Sequence, residues 1–499
     1  MPDILHVICG IVFIAIAIFV GVFKQKELIA GVNTMPVKEM NKIDFDYVCK
    51  WFGIFFGIIG FLFFISPFIF RYFNSTNFLF ITPIVSCAII IFMFVFGYIK
   101  KDRIYRVSWY NYMSVQLLKY SEINLSKIPS PCYVLNESLL AANLDLLSSV
   151  GRKTGVDIIL ALKGFATWGV FPMIKPFING VSASSLHEAR LSFEKMETLA
   201  HSYSPAYTDS DFDDILKYSS HITFNSLTQY ERFRKRVHDF KKPVSMGLRI
   251  NPEFSAVSAD LYNPCSSGSR LGIKSEQIGD KLPADIEGLH VHALCESSAE
   301  ATKSLIDAVE SKFGHLFHSI KWLNLGGGHL MTRKDYNLQC LIDALTTFRA
   351  KYPHIKVILE PGAAFVWETG VLVATVEDIV ENDNIPTAIL NVSFTAHMPD
   401  CLEMPYKPRI RGASDEPQGK RKWRLGGNSC LAGDYIGEWS FDEEPYIGKR
   451  IVFEDMIHYT MVKTTTFNGV AHPSIGTWSN KGFKLLKQFD YNDYKNRLS

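Results

Sequence analysis

The chain has 499 residues, 47% of them hydrophobic and 20% charged, with a net charge of +2. That length allows several domains and a large core, and a charge so near zero gives nucleic acid no electrostatic footprint. Nine scattered cysteines with no CxxC pair argue against a disulfide framework and fit a reducing compartment.

The chain opens with three apolar, uncharged runs, Ile4–Phe23, Phe52–Phe70 and Phe78–Tyr98. Each has about the 20 residues needed to cross a bilayer. The first lacks a basic leader and a small-residue cleavage site, so it does not read as a signal peptide. Lys24, Lys26, Lys38, Lys42 and Lys50 fill the first loop, and Lys100, Lys101, Arg103 and Arg106 follow the third run. The second loop holds only Arg71. Basic flanks stay in the cytoplasm. This predicts a three-helix membrane module over residues 1–100, with residues 4–98 in the lipid bilayer and an outside N-terminus. The rest of the chain then sits at the cytoplasmic membrane, facing the cytoplasm. A start at Met113 would give a plainly cytoplasmic protein. Residues 101–128 read as a polar connector.

Eight short apolar runs follow, each ending in a polar or glycine-rich step. They are Ile158–Lys163, Gly180–Ser185, Thr198–Ser204, His221–Ser226, Val244–Asn251, Gly288–Ala293, Ile320–Gly328 and Lys356–Gly362. Helical patterns usually separate them. Strands alternating with helices pair in parallel, and eight of them predict a closed (β/α)8 barrel over residues 129–365. Its chemistry belongs at the carboxyl ends of the strands, with phosphate often held after strands seven and eight. Beyond it, Gly370–Val376, Ala388–Phe394, Arg450–Phe453 and Tyr459–Thr466 read as strands of a C-terminal β domain, residues 366–499. The basic run Lys420–Lys422 reads as a solvated loop.

Candidate chemistry gathers at the predicted strand ends. Lys163 closes the first run. A lone lysine there is ordinarily solvated, but apolar walls would lower its pKa enough for Schiff-base chemistry. Gly326, Gly327 and Gly328 end the seventh run, where consecutive glycines let backbone N–H groups converge on an anion; a plain turn is the alternative. Glu360 ends the eighth run in LEPG. It suits either a pyridinium nitrogen or a salt bridge to a barrel arginine such as Arg249. In HVHALCE, His290, His292, Cys295 and Glu296 resemble half of a metal site, and alternation puts both histidines on one face. No second cluster completes it, so no metal is expected, and His292 suits stacking on a flat ring. Lysine, glycine loop, carboxylate and imidazole together point to pyridoxal phosphate.

The stretches IPSPCYVL (128–135), ALKGF (161–165), GLHVHALCE (288–296), LNLGGGH (323–329), AHMPDCLEMPY (396–406), LGGNSCLAGD (425–434) and TTTFNG (464–469), with YNPC and GSRLGI between Tyr262 and Ile273, carry a resemblance. From about Ile128 onward the chain resembles the alanine-racemase-like, fold type III pyridoxal phosphate decarboxylases, in their carboxynorspermidine/carboxyspermidine decarboxylase branch. The resemblance implies Lys163 as Schiff-base lysine and His292 as ring-stacking imidazole. It implies Gly326, Gly327, Gly328 and Tyr459 at the phosphate, and Glu360 at the ring nitrogen. Arg249 and Gly362 complete the expected cofactor set. It implies a homodimer with shared sites, in which Cys430 is the proton donor; a buried small hydrophobe is the alternative for that cysteine. The substrate would be a carboxylated polyamine, with Asp400, Glu403, Asp434 and His329 as its candidate contacts. Structural ion pairing is the alternative for the acids. One departure is Ala363 after EPG, where related enzymes often carry a larger polar residue. The competing activities are another fold type III decarboxylase, such as a diaminopimelate enzyme, an amino-acid racemase, or a membrane-tethered binder without catalysis.

Overall fold

The computed structural model describes residues 2–21, 45–73, 124–257, 262–404, 406–416 and 419–499. The chain forms two compact units, residues 1–117 and 118–499. In the first, helix α1 (Pro2–Gly21) packs on α2 (Phe45–Phe73), and Phe13 lies 5.8 Å from both Phe56 and Phe63. Among the described residues one stretch, Cys49–Phe68, is long and apolar enough to cross a membrane, with a mean hydropathy of 2.0. Only a third of it is buried, and Ile54, Ile58, Phe61 and Phe68 face outward. The expected third span, Phe78–Tyr98, lies outside the described residues, as do Met113 and most of the connector.

The second unit begins with β1 (Cys132–Asn136), then α3 (Glu137–Thr154). Asn136 caps α3 by accepting from the N–H groups of Ser138 and Leu139 at 2.9 and 3.2 Å, and Gly155 ends it with φ 67°. Eight parallel strands then close a barrel: β2 (Asp157–Ala161), β3 (Gly180–Ala183), β4 (Ala200–Tyr203), β5 (Ser219–Phe224), β6 (Ser245–Arg249), β7 (Ile286–His290), β8 (Trp322–Asn324) and β9 (Lys356–Leu359). All eight expected runs are therefore barrel strands. Serines two residues past β3 and β5 cap the next helices: Ser185 and Ser226 accept from the N–H groups of Glu188 and Gln229. These caps keep the loops at the carboxyl ends short.

The remaining strands form a separate sheet: β10 (Gly370–Asn382), β11 (Ile385–Leu390), β12 (Ala413–Ser414), β13 (Lys422–Gly426), β14 (Tyr435–Phe441), β15 (Arg450–Glu454), β16 (Ser474–Ser479) and β17 (Gly482–Lys487). Their order is β12-β14-β13-β11-β10-β1-β16-β17, with β15 also on β10. Two expectations change here. The sequence pattern starts the barrel at Pro129, yet β1 pairs with β10 and β16 in this sheet. The run Tyr459–Thr466 reads as a strand, but Tyr459–Val462 is one helical turn. A short apolar run does not separate the two states by itself. The basic run at Lys420 is solvated as expected, although Lys422 opens β13.

Trp322 packs inside the barrel, where Gly247 and Gly288 leave it room. A Cβ at Gly288 would fall 2.0 Å from the indole, and one at Gly247 2.2 Å from it. The Trp322 Nε1–H donates to Ser245 Oγ at 2.9 Å. Gly288→Ala should therefore destabilise by about 1–3 kcal/mol, the usual overpacking cost. In a Trp322→Leu background the same change should cost almost nothing. Denaturant midpoints of the four proteins check this; equal losses in both backgrounds would refute it.

Candidate active site

The carboxyl ends of the barrel strands open into a cavity of about 570 Å³, lined by Lys163, Arg249, His290, His292, Cys295, Glu296, Gly327, Gly328, His329, Glu360 and Gly362, with Tyr459 reaching in from the β domain. Lys163 sits in the turn after β2, which closes with Gly164 N–H donating to Ala161 O at 3.0 Å. Gly164 lies against Gly362: a Cβ on the first would meet Gly362 Cα at 3.1 Å. The Lys163 side chain lines the cavity. Desolvation by the walls pushes its amine below the ordinary lysine value. Cys295 opposes this, and Arg249 and Lys463 add to it.

Glu360 follows β9 with its side chain only 13% exposed, and desolvation pushes its carboxyl from 4.5 up to about 7. Asn324 Nδ2 donates to its Oε1 at 2.6 Å, and His290 Nε2 lies 3.6 Å from its Oε2. The salt bridge to Arg249, open as an alternative from the sequence, is not formed. Arg249 is buried, donates through Nη2 to His292 O at 3.1 Å, and lies 4.6 Å over the Tyr203 ring.

The glycine loop is built by close approach. A Cβ at Gly326 (φ 70°) would fall 2.4 Å from Val291 O, and one at Gly328 (φ 90°) 2.3 Å from Leu294 C. Its N–H groups are not all free, as a converging anion nest would require. Gly326 N–H donates to Asn324 Oδ1 and Gly327 N–H to His292 Nδ1, both at 2.9 Å. Among the described residues, only the Gly328 N–H of the three has no protein acceptor. Accepting through Nδ1 fixes His292 as the Nε2–H tautomer when neutral. Burial and then Lys163 hold it neutral, well below the ordinary histidine value. His290 and His292 both line the cavity, where they turn to Glu360 and Gly327. Among the described residues no group of three or more His, Cys, Asp or Glu side chains is placed to hold a metal.

The expected substrate contacts scatter. Lys463 Nζ donates to Asp400 Oδ1 at 2.6 Å and to Glu403 Oε2 at 2.7 Å, so both acids already hold a cation. Asp434 is buried and accepts from Thr395 N–H, Ser429 N–H and Ser429 Oγ–H. Its carboxylate pins its own loop. His329 lies at the cavity but is buried, 3.0 Å from Thr302 Oγ1 through Nδ1, and burial lowers it to about 4. Cys430 is exposed, not a buried hydrophobe, and lies outside this cavity; its N–H donates to Asn468 Oδ1 at 3.0 Å. Sequence reasoning alone misses Asn324 and Lys463, which organise the acids. A polar residue ending the fully buried WLN strand is the available signal for Asn324.

These residues fit pyridoxal phosphate. A lysine with a lowered pKa, a buried carboxyl near neutrality and a glycine cradle that any Cβ would fill share one cavity. Lys163 would hold the cofactor covalently, Glu360 its ring nitrogen and His292 its face. Gly328 N–H and Tyr459 would meet its phosphate.

The Glu360 shift has a signed consequence. Between pH 4.5 and 7 the folded cofactor-free protein keeps a proton there that the unfolded chain releases. Its stability from this group is full below pH 4.5 and lost as pH rises through about 7. Glu360→Gln removes the dependence. The stability of the wild type relative to this variant should fall across that window, by roughly 3 kcal/mol at most. Added cofactor should flatten the difference. Denaturation curves of both proteins at pH 5, 6 and 7.5 measure it, and parallel pH profiles would show that Glu360 is not protonated in the fold.

Comparison with known proteins places the chain. Residues 7–102 match a domain of unknown function, DUF3784. The chain is 49% identical over 375 residues to the carboxyaminopropylagmatine decarboxylase of Synechocystis, covering 75% of this chain and 96% of that protein. It is 42% identical over 383 residues to the carboxynorspermidine/carboxyspermidine decarboxylase of Campylobacter jejuni, covering 74% and 99%. The crystal structure of carboxynorspermidine decarboxylase from Campylobacter jejuni, complexed with norspermidine, matches with a TM-score of 0.69 and 41% identity over 74% of this chain and all of that one. A diaminopimelate decarboxylase from Methanocaldococcus jannaschii, at 18% identity and a TM-score of 0.60, shares the fold. Matched along almost the whole length of such relatives, the chain belongs to the carboxynorspermidine/carboxyspermidine decarboxylase family of fold type III, pyridoxal phosphate-dependent enzymes.

Proposed function

We propose that this enzyme decarboxylates carboxyspermidine or carboxynorspermidine to the corresponding polyamine, with pyridoxal phosphate held by the residues named above. The observation that carries the reading is one cavity holding both Lys163, with its lowered pKa, and Glu360, protonated to about pH 7. When bound, the cofactor supplies a sink for the electron pair left as CO2 departs. Burial lowers the affinity of Lys163 for its proton, which favours the nucleophilic amine form. Glu360 holds a proton at the ring nitrogen, and Asn324 keeps the carboxyl aimed. His292, locked by Gly327, presents a neutral flat face.

Cys430 is the proposed donor of the proton that this carbon must regain. It is exposed and outside its own cavity, so a second copy must bring it to the site. Asp434 and Asn468 hold its loop in shape, as presentation to a neighbour requires. This supports a homodimer with shared sites. Lys163→Ala and Cys430→Ala should each lose almost all turnover. Mixed after reversible dissociation, they should recover on the order of a quarter of wild-type activity, because one of the two sites in each mixed dimer is intact. Absence of recovery would put Cys430 in its own chain's site or outside the chemistry.

A second substrate has a specific observation in its favour, the 49% identity to a carboxyaminopropylagmatine decarboxylase. That substrate ends in a guanidinium rather than an ammonium. Release of CO2 from the three carboxylated amines, compared by kcat/KM, decides between them.

Residues 4–98 are proposed as the membrane anchor, with the catalytic unit on the cytoplasmic side. Cys49–Phe68 and the lysine-rich flanks support this. A chain starting at Met113 should be soluble and active, while the full chain fractionates with membranes. Protease added to intact spheroplasts should leave the catalytic unit uncut; cleavage there would reverse the orientation.

A further inference from the structure

We infer that Glu296 is the carboxylate that reads the cationic tail of the substrate. This rests on the polyamine reading above and names the contact it lacks. The other acids suited to that task are engaged: Asp400 and Glu403 hold Lys463, and Asp434 holds its own loop. Glu296 differs from them in three ways.

It lines the cavity itself. Its carboxylate has no hydrogen bond and no ion pair among the described residues; only its backbone carbonyl is used, accepting from Arg333 Nη1 at 3.3 Å. Its backbone is left-handed, with φ 45°. A β-carbon makes that region costly, and such strain concentrates where a side chain must be aimed. The loop is fixed there because Ser297 N–H donates to Gly328 O at 2.8 Å, which carries Glu296 to the edge of the glycine cradle.

The surroundings favour a cation. Burial raises the Glu296 pKa most; His458 opposes this, Asp400 and Asp455 add to it as like charges, and Arg333 opposes it weakly. Asp400 and Glu403 share the single ammonium of Lys463, which leaves that group one negative charge in excess. Tyr262, also lining the cavity, has a buried Oη without a partner. An ammonium would satisfy the Glu296 carboxylate, and an amine N–H or lone pair would serve the tyrosine. The half-buried Glu296 carboxylate is partly desolvated without a partner, and a cationic ligand offsets that cost.

The experiment uses the cofactor-loaded enzyme with carboxyspermidine. Turnover by the wild type tests the polyamine reading separately. Two variants then test Glu296: Glu296→Gln, which keeps the shape without the charge, and Glu296→Gly, which suits φ 45° and folds if any residue does. Both should raise KM at least tenfold, change kcat less than threefold and leave the cofactor affinity unchanged. Inhibition by the product spermidine should weaken in parallel. The glycine variant should also melt higher than the wild type, because strain and an unpartnered carboxylate are removed together. An unchanged KM and spermidine inhibition, or a loss confined to cofactor affinity, would overturn the assignment.

Discussion

The active site hangs on one amide. Asn324, the last residue of β8, accepts from Gly326 N–H through Oδ1 and donates to Glu360 through Nδ2. The first bond shapes the entry to the glycine loop; the second aims the carboxyl at the end of the neighbouring strand. Glu360 N–H in turn donates to Gly326 O at 2.7 Å, so the two strand ends are tied twice. The next glycine locks His292 through its ring nitrogen. Three loops are thereby fixed to one another before any ligand enters, which is what preorganisation requires. An aspartate at 324 could not donate to a carboxylate, and a leucine could do neither job.

The electrostatics follow from this packing. Glu360 is driven toward its neutral form by burial, Lys163 loses part of its proton affinity, and His292 and His329 stay neutral for the same reason. A low-dielectric chamber with few net charges makes any charge that appears in it matter more. Positive charge is held in place: Arg249 is spent on His292 O and the Tyr203 face, and Lys463 on its two acids. Neither of these two cations is left loose to compete for electrons released at a substrate carbon.

The eight barrel strands are legible in the sequence because most are buried on both faces, and an apolar run that ends in a polar step is what such a strand requires. The site residues at the ends of those runs are legible for the same reason: Lys163, His292, Gly328 and Glu360 all meet in one cavity. β1 is not, because its partners β10 and β16 lie more than 230 residues away and nothing local distinguishes it from a barrel strand. The Tyr459 turn escapes because four residues cannot show a period. Asp434 and Glu403 carry the right charge for a polyamine, but charge in a sequence does not reveal that a hydroxyl or a lysine has already claimed it. Glu296 is hidden differently: it stands inside a metal-like pattern, and its left-handed backbone is a tertiary fact.

The β domain explains why the site needs more than a barrel. Tyr459 enters the cavity from the turn after β15, and Lys463, one turn later, pairs with Asp400 and Glu403. The pairing ties that turn to the segment after β11. Because β1 and β16 are parallel neighbours in the same sheet, the beginning and end of the catalytic unit are sewn together beside that wall. The barrel supplies groups suited to a cofactor, and the sheet domain supplies Tyr459 to the cavity wall. Substrate choice in this chain is accordingly sought where the two meet, between the loop after β7 and the turn that carries Tyr459.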